Sequence, residues 1–143
     1  MAKKTNKIIR FGISLPERLL SRFDEAIEAQ GYTNRSEAIR DLIRNHLVER
    51  EWEEEGGEAV GTITLIYDHK TRELGRKLNQ QQHEHVHEVI STLHVHLDHD
   101  HCLEVLVLRG RSGNIRALAD RLIGMRGVLH GRLTMTTTGG DLA

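Results

Sequence analysis

A single cysteine, Cys102, excludes an intrachain disulfide, and a lone thiol suits a reducing, cytoplasmic compartment. Aromatic residues are scarce, with one Trp, two Tyr and two Phe in 143 residues. Only 38% of the chain is hydrophobic. A half of about 50 residues standing alone would therefore bury too little apolar surface for comfortable stability, and oligomerisation is expected on physical grounds. No apolar run approaches the roughly 18 residues needed to span a bilayer. The first residues also lack the apolar stretch of a secretory signal. The one proline, Pro16, falls where a first helical turn tolerates it.

The charges that are present are unevenly placed. Residues 1–50 carry ten Lys/Arg against seven Asp/Glu, with Lys3, Lys4, Lys7 and Arg10 near the start. Residues 51–58 contain five Glu and no base, and 59–143 are nearly neutral. The reading is a basic tail at 1–8, a small module at 9–50, a solvated acidic and glycine linker at 51–58, and a second domain at 59–143. A basic start points weakly to nucleic acid and more often marks a solvated tail.

Ile9, Phe11, Ile13 and Leu15 alternate with Arg10, Gly12 and Ser14, the period of a strand with one apolar face. A helix follows, with Ser14 and Glu17 at capping-box spacing, Leu19, Leu20, Phe23 and Ile27 at helical spacing, and Gly31 as its stop. A second helix opens at Asn34, with Glu37 three residues on and an apolar stripe of Ala38, Ile39, Leu42, Ile43 and Leu47. From residue 59 the rhythm changes to strand 60–67, helix 71–82, strands 89–97 and 102–108, helix 115–125 and strand 128–136. The fold class is α+β, and the order β-α-β-β-α-β predicts a split βαβ sheet with both helices on one face.

Ten histidines are a heavy load, and their positions matter more than their number. His94 and His96 lie two apart on a predicted strand, so both leave the same sheet face. Leu93, Val95 and Leu97 then take the opposite face, expected under the helices. Cys102 opens the next strand after a short turn, and antiparallel pairing brings it close to His96. Two imidazoles and a thiolate suit a borderline divalent metal such as zinc, nickel or copper. A fourth donor could come from His83, His85 or His87, or from water. His99 and His101 belong to the turn; His46 reads as a surface residue, and His69 and His130 are isolated.

A lone amphipathic strand cannot bury its apolar face, whereas two copies pairing antiparallel over their helices can. The polar face of such a ribbon fits a major groove, with Arg10 able to reach a guanine edge and Ser14 to donate or accept a hydrogen bond. The backbone N–H groups at Asn34-Arg35-Ser36 can hold phosphate.

Four stretches make the pattern specific: residues 10–15, residues 31–41, Leu93-His94-Val95-His96, and Asp100-His101-Cys102-Leu103-Glu104. Together they resemble the nickel-responsive regulators of bacteria and archaea over nearly the whole chain. The resemblance implies a ribbon-helix-helix domain followed by a ferredoxin-like (ACT-type) domain, assembled as a tetramer with a DNA-binding dimer at each end. It implies a square-planar Ni(2+) site of His94, His96 and Cys102 with His83 from a neighbouring subunit. It implies base reading at Arg10, Gly12 and Ser14, although Gly12 departs from the hydroxyl residue common there. Glu37 and Asp41 match carboxylates of a second cation site, and Glu104 suggests a residue supporting the metal ligands. The function implied is metal-promoted binding to a palindromic operator and repression of nickel uptake genes.

Two rivals fit fewer of these features. An antitoxin-like DNA binder with a small-molecule-sensing domain would need no metal. A metal storage or delivery protein would not bind DNA. An enzyme is not expected, because four protein ligands leave no open position for a substrate.

Overall fold

The computed structural model describes residues 7–54 and 56–142. Lys3 and Lys4 of the basic tail and Glu55 of the expected linker lie outside the described residues. The chain divides into two units, one running through His46 and including the stretch from Gly139, the other spanning Leu47–Thr138.

In the first unit, residues 7–16 form no helix and pair with no strand among the described residues. The alternation read in the sequence needs a partner to become a ladder, and the described residues of this chain offer none. Ile9, Phe11 and Ile13 are accordingly 79%, 71% and 66% exposed. Helix α1 spans Glu17–Ala29. The expected Ser14–Glu17 capping box does not form: Pro16 is the N-cap, with no side-chain cap bond. Its carbonyl instead accepts from Leu19 N and Leu20 N at 3.0 and 3.1 Å. Proline's fixed φ begins the helix without a hydroxyl, and Ser14 is left exposed.

The end of α1 follows the sequence. Gly31 adopts φ 84°, and the N–H groups of Gly31 and Tyr32 return to the Glu28 and Ile27 carbonyls at 2.9 and 3.0 Å. Helix α2 spans Arg35–Glu53. Asn34 caps it, its Oδ1 accepting from Glu37 N at 2.9 Å. Arg35 makes a two-pronged contact with Asp24 of α1, at 2.7 and 2.6 Å. Among the described residues of this unit only Ile27 and Ala38 are buried apolar residues, while Leu19, Leu42 and Ile43 stay exposed.

The last turns of α2 belong to the second unit, and there the solvated-linker reading of 51–58 is corrected. Trp52 is 2% exposed in the core. Its indole N–H donates to Thr136 O at 2.8 Å, and the Arg116 guanidinium sits 5.6 Å above its ring. Five glutamates signal solvent, but Trp52 lies on the last turn of α2, where one large apolar side chain can face inward.

The second unit contains β1 (Glu58–Asp68), α3 (Leu74–Glu84), β2 (Val89–His96), β3 (His101–Arg111), α4 (Ser112–Ile123) and β4 (Val128–Thr136). The sheet order is β2-β3-β1-β4, antiparallel throughout. This is the ferredoxin-like βαββαβ arrangement of the ACT type. Burial alternates strictly along β1 and most of β3. Ile63, Leu65, Leu106 and Leu108 bury one face together with Leu74 and Leu78 of α3 and Ile115, Leu118 and Leu122 of α4.

The expected facing of β2 is reversed. His96 pairs with Cys102 and His94 with Glu104, so the histidines share the side on which β3 buries its residues against the helices. Leu93, Val95 and Leu97 are 60%, 38% and 52% exposed rather than covered. Alternation determines that two sets oppose each other. It does not say which set meets the helices, and on an edge strand the helices cover neither completely.

Candidate metal centre

The hairpin of β2 and β3 builds the site. Register places His96 directly across from Cys102, and the two-residue period of β2 puts His94 on the same side. The ligand atoms of His94, His96 and Cys102 all lie within 4.8 Å of one another, the one such group of three found among the described residues. Cys102 Sγ is 3.4 Å from His96 Nδ1, and the rings of His94 and His96 are 5.0 Å apart edge to face. Cys102 is 1% exposed, whereas both histidines are open to solvent. A thiol set in the floor with two imidazoles at the rim is a donor set for a borderline metal, soft sulfur and nitrogen together. These three residues fit nickel.

His83 stands exposed on the last turn of α3 and does not join this group within the chain. His85 is committed elsewhere. Its Nδ1 lies 2.8 Å from Gln81 O and its Nε2 2.8 Å from an Arg121 guanidinium nitrogen, so both ring nitrogens are used at the end of α3. His87 is exposed and joins no group of ligands.

His99 and His101 pair with carboxylates of their own turn. His101 Nδ1 is 2.9 Å from Asp98, which also accepts from the Asp100 and His101 backbone N–H groups at 2.8 Å each. These bonds, His101 foremost, pull the Asp98 carboxyl down to about 2 and raise His101. Lys70 and His99 hold Asp100. The turn that delivers Cys102 is thus stapled by its own polar side chains.

The expected DNA-contacting residues fall into two groups. Arg10, Gly12 and Ser14 are exposed at alternating positions before α1. Asn34 is occupied as a cap, Arg35 is engaged with Asp24, and Ser36 is exposed. Glu37 and Asp41 form no ligand group among the described residues. Both Asp41 oxygens are taken, one by the Tyr32 hydroxyl at 2.8 Å and the other by Arg44 at 3.0 Å. Together these bonds, Tyr32 foremost, hold the Asp41 carboxyl below its ordinary 3.8.

Two residues beside the centre escaped the sequence reading as site residues or were only glimpsed. Tyr67 approaches His94 from β1, at a sequence separation no spacing rule could bridge. Glu104 was noticed, but its partner Gln82 on α3 was not.

Comparison with known proteins is consistent with both units. Residues 60–136 match the model of the NikR C terminal nickel binding domain, and residues 9–50 match that of the ribbon-helix-helix protein, copG family. A protein of Geobacter sulfurreducens named as a nickel-responsive regulator is 60% identical over 134 residues, covering 94% of this chain and 96% of its own. Proteins of the same name from Pyrococcus furiosus and Thermococcus onnurineus are 53% and 52% identical, each over at least 94% of this chain and 98% of their own.

Proposed function

Because this chain belongs to the family of nickel-responsive transcriptional regulators, with a ribbon-helix-helix DNA-binding domain and a nickel-binding domain, we propose that it is a repressor whose operator binding is promoted by Ni(2+). The convergence of His94, His96 and Cys102 within 4.8 Å carries this reading. His83 of a neighbouring copy supplies the fourth donor and closes a square-planar site at a subunit interface. That His83 is exposed, and grouped with none of the three in its own chain, supports this division of labour. Bound nickel would link two subunits; the chain supplies the hairpin that aims three donors and the helix that carries the fourth.

The DNA side is built by two copies. Their extended segments pair as a ribbon, Ile9, Phe11 and Ile13 turning inward and Arg10, Gly12 and Ser14 toward the base edges of a palindromic operator. Gly12 offers no side chain for readout, so Arg10 and Ser14 carry it. The α2 start at Asn34, Arg35 and Ser36 meets backbone phosphate. A dimer of such dimers gives a tetramer, whose genes are those of nickel uptake and whose setting is the cytoplasm. In the DNA-bound form Glu37 and Asp41 contribute to a second cation site, Asp41 through the lone pairs that Tyr32 and Arg44 leave open.

Metal joining donors of two subunits favours the arrangement that holds them together, and the shift equals the difference in metal affinity between arrangements. The test uses a DNA fragment selected by the full-length protein from a random pool with nickel present. Stoichiometric nickel is expected to tighten binding to that fragment, and His94→Ala to remove the gain while leaving circular dichroism unchanged. Equal binding by the unmutated protein with and without nickel would rule the reading out.

A further inference from the structure

Tyr67 has a hydroxyl that neither packing nor DNA recognition uses. The residue is 3% exposed, at the end of β1, and its ring is part of the core. Its oxygen nevertheless ends 3.2 Å from His94 Nδ1, with the two rings edge to face 6.0 Å apart.

Glu104 lies in the adjoining row, 5% exposed on a strand face otherwise filled by Cys102, Leu106 and Leu108. A carboxylate so placed requires partners. Its Oε1 accepts from Gln82 Nε2 at 2.6 Å, and Gln82 Oε1 accepts from the Thr92 hydroxyl at 2.9 Å. A phenol is uncharged at neutral pH, so Tyr67 keeps its hydrogen.

A neutral imidazole can bind metal only through the nitrogen that lacks a proton, and the hydrogen bond made by the other nitrogen decides which that is. We propose that Tyr67 is a positioning residue for the metal centre: its oxygen accepts from His94 Nδ1–H, its own hydrogen is directed at Glu104, and His94 is thereby held in the tautomer that offers Nε2 to the metal. The inference rests on the nickel reading of His94, His96 and Cys102 and assigns a role to a residue outside the ligand set. Without the phenol oxygen, free histidine's preference for the Nε2–H tautomer returns and the ligand lone pair is blocked.

Tyr67→Phe removes one oxygen and keeps the ring, so the core stays filled. Nitrogen-15 NMR of the His94 side chain in metal-free, full-length protein reads the tautomer directly, and a nickel titration against a competing chelator reads affinity. The parent is expected to show Nδ1–H at His94 and Tyr67→Phe a shift toward Nε2–H. The nickel dissociation constant of the variant is expected to rise about 10- to 100-fold, the usual cost of losing an outer partner. Glu104→Gln, which removes the charge the phenol hydrogen points at, is expected to move both readouts in the same direction. A parent that binds nickel while Tyr67→Phe binds equally well overturns the proposal alone. A parent that binds no nickel overturns the nickel reading and the proposal with it.

Discussion

Trp52 and Gly61 depend on each other. A Cβ on Gly61 would lie 3.0 Å from Thr134 O and 3.3 Å from the Trp52 ring, so the indole can lie against β1 only where the strand has no side chain. Trp52→Ala is expected to cost about 3–5 kcal/mol in equilibrium unfolding of the second unit, the range for removing a buried aromatic. Gly61→Ala is expected to cost about 1–3 kcal/mol through overpacking, read as a lowered denaturation midpoint with the slope unchanged. Neither pairing could be read from the sequence, where Trp52 stands among glutamates and Gly61 inside an apolar strand. His94, His96 and Cys102 were legible there because strand periodicity and a short turn are local facts. Tyr67 was not, because β1 and β2 are separated by a whole helix and neither pairs with the other.

Among the elements, α2 begins and ends on different kinds of support. Its start rests on the Asn34 cap, and Asn34→Ala is expected to lower stability by about 1 kcal/mol in thermal or denaturant unfolding. Two turns on, the Tyr32 hydroxyl, and then Arg44, hold the Asp41 carboxyl below 3.8. A carboxyl lowered on folding adds stability above its unfolded value and loses it as pH falls through its lower folded value. The Asp41 contribution is therefore present above about pH 4 and disappears on further acidification. Tyr32→Phe is expected to return the Asp41 titration, followed by carbon-13 NMR, toward the ordinary value; no movement would show that the phenol does not hold it. The edge strand β2 shows where pattern reading stops at this scale. Its two faces were correctly separated, but its apolar face is open rather than covered, because the helices lie over the side that carries the histidines and Cys102.

For the molecule as a whole, the exposed apolar residues of both units call for further copies. Burying a side chain such as Ile9, Phe11 or Ile13 contributes about 1.5–3 kcal/mol, and the first unit has little other apolar core. Unfolding midpoints are expected to rise with protein concentration, as for any fold completed by association. Phe11→Glu is expected to reduce the mass measured by light scattering and to abolish DNA binding. Unchanged mass in that variant would show that the ribbon is not a contact between copies. The amino-acid order by itself determined the helices, the split βαβ succession and the grouping of two imidazoles with a thiol, since periodicities of 2 and 3.6 and short turns act between near neighbours in the chain. Tertiary structure alone decided which face of β2 meets the helices, that Trp52 is core rather than linker, and that Tyr67 stands beside the candidate metal ligands. Those outcomes depend on packing and register between segments far apart in sequence, where no local preference acts.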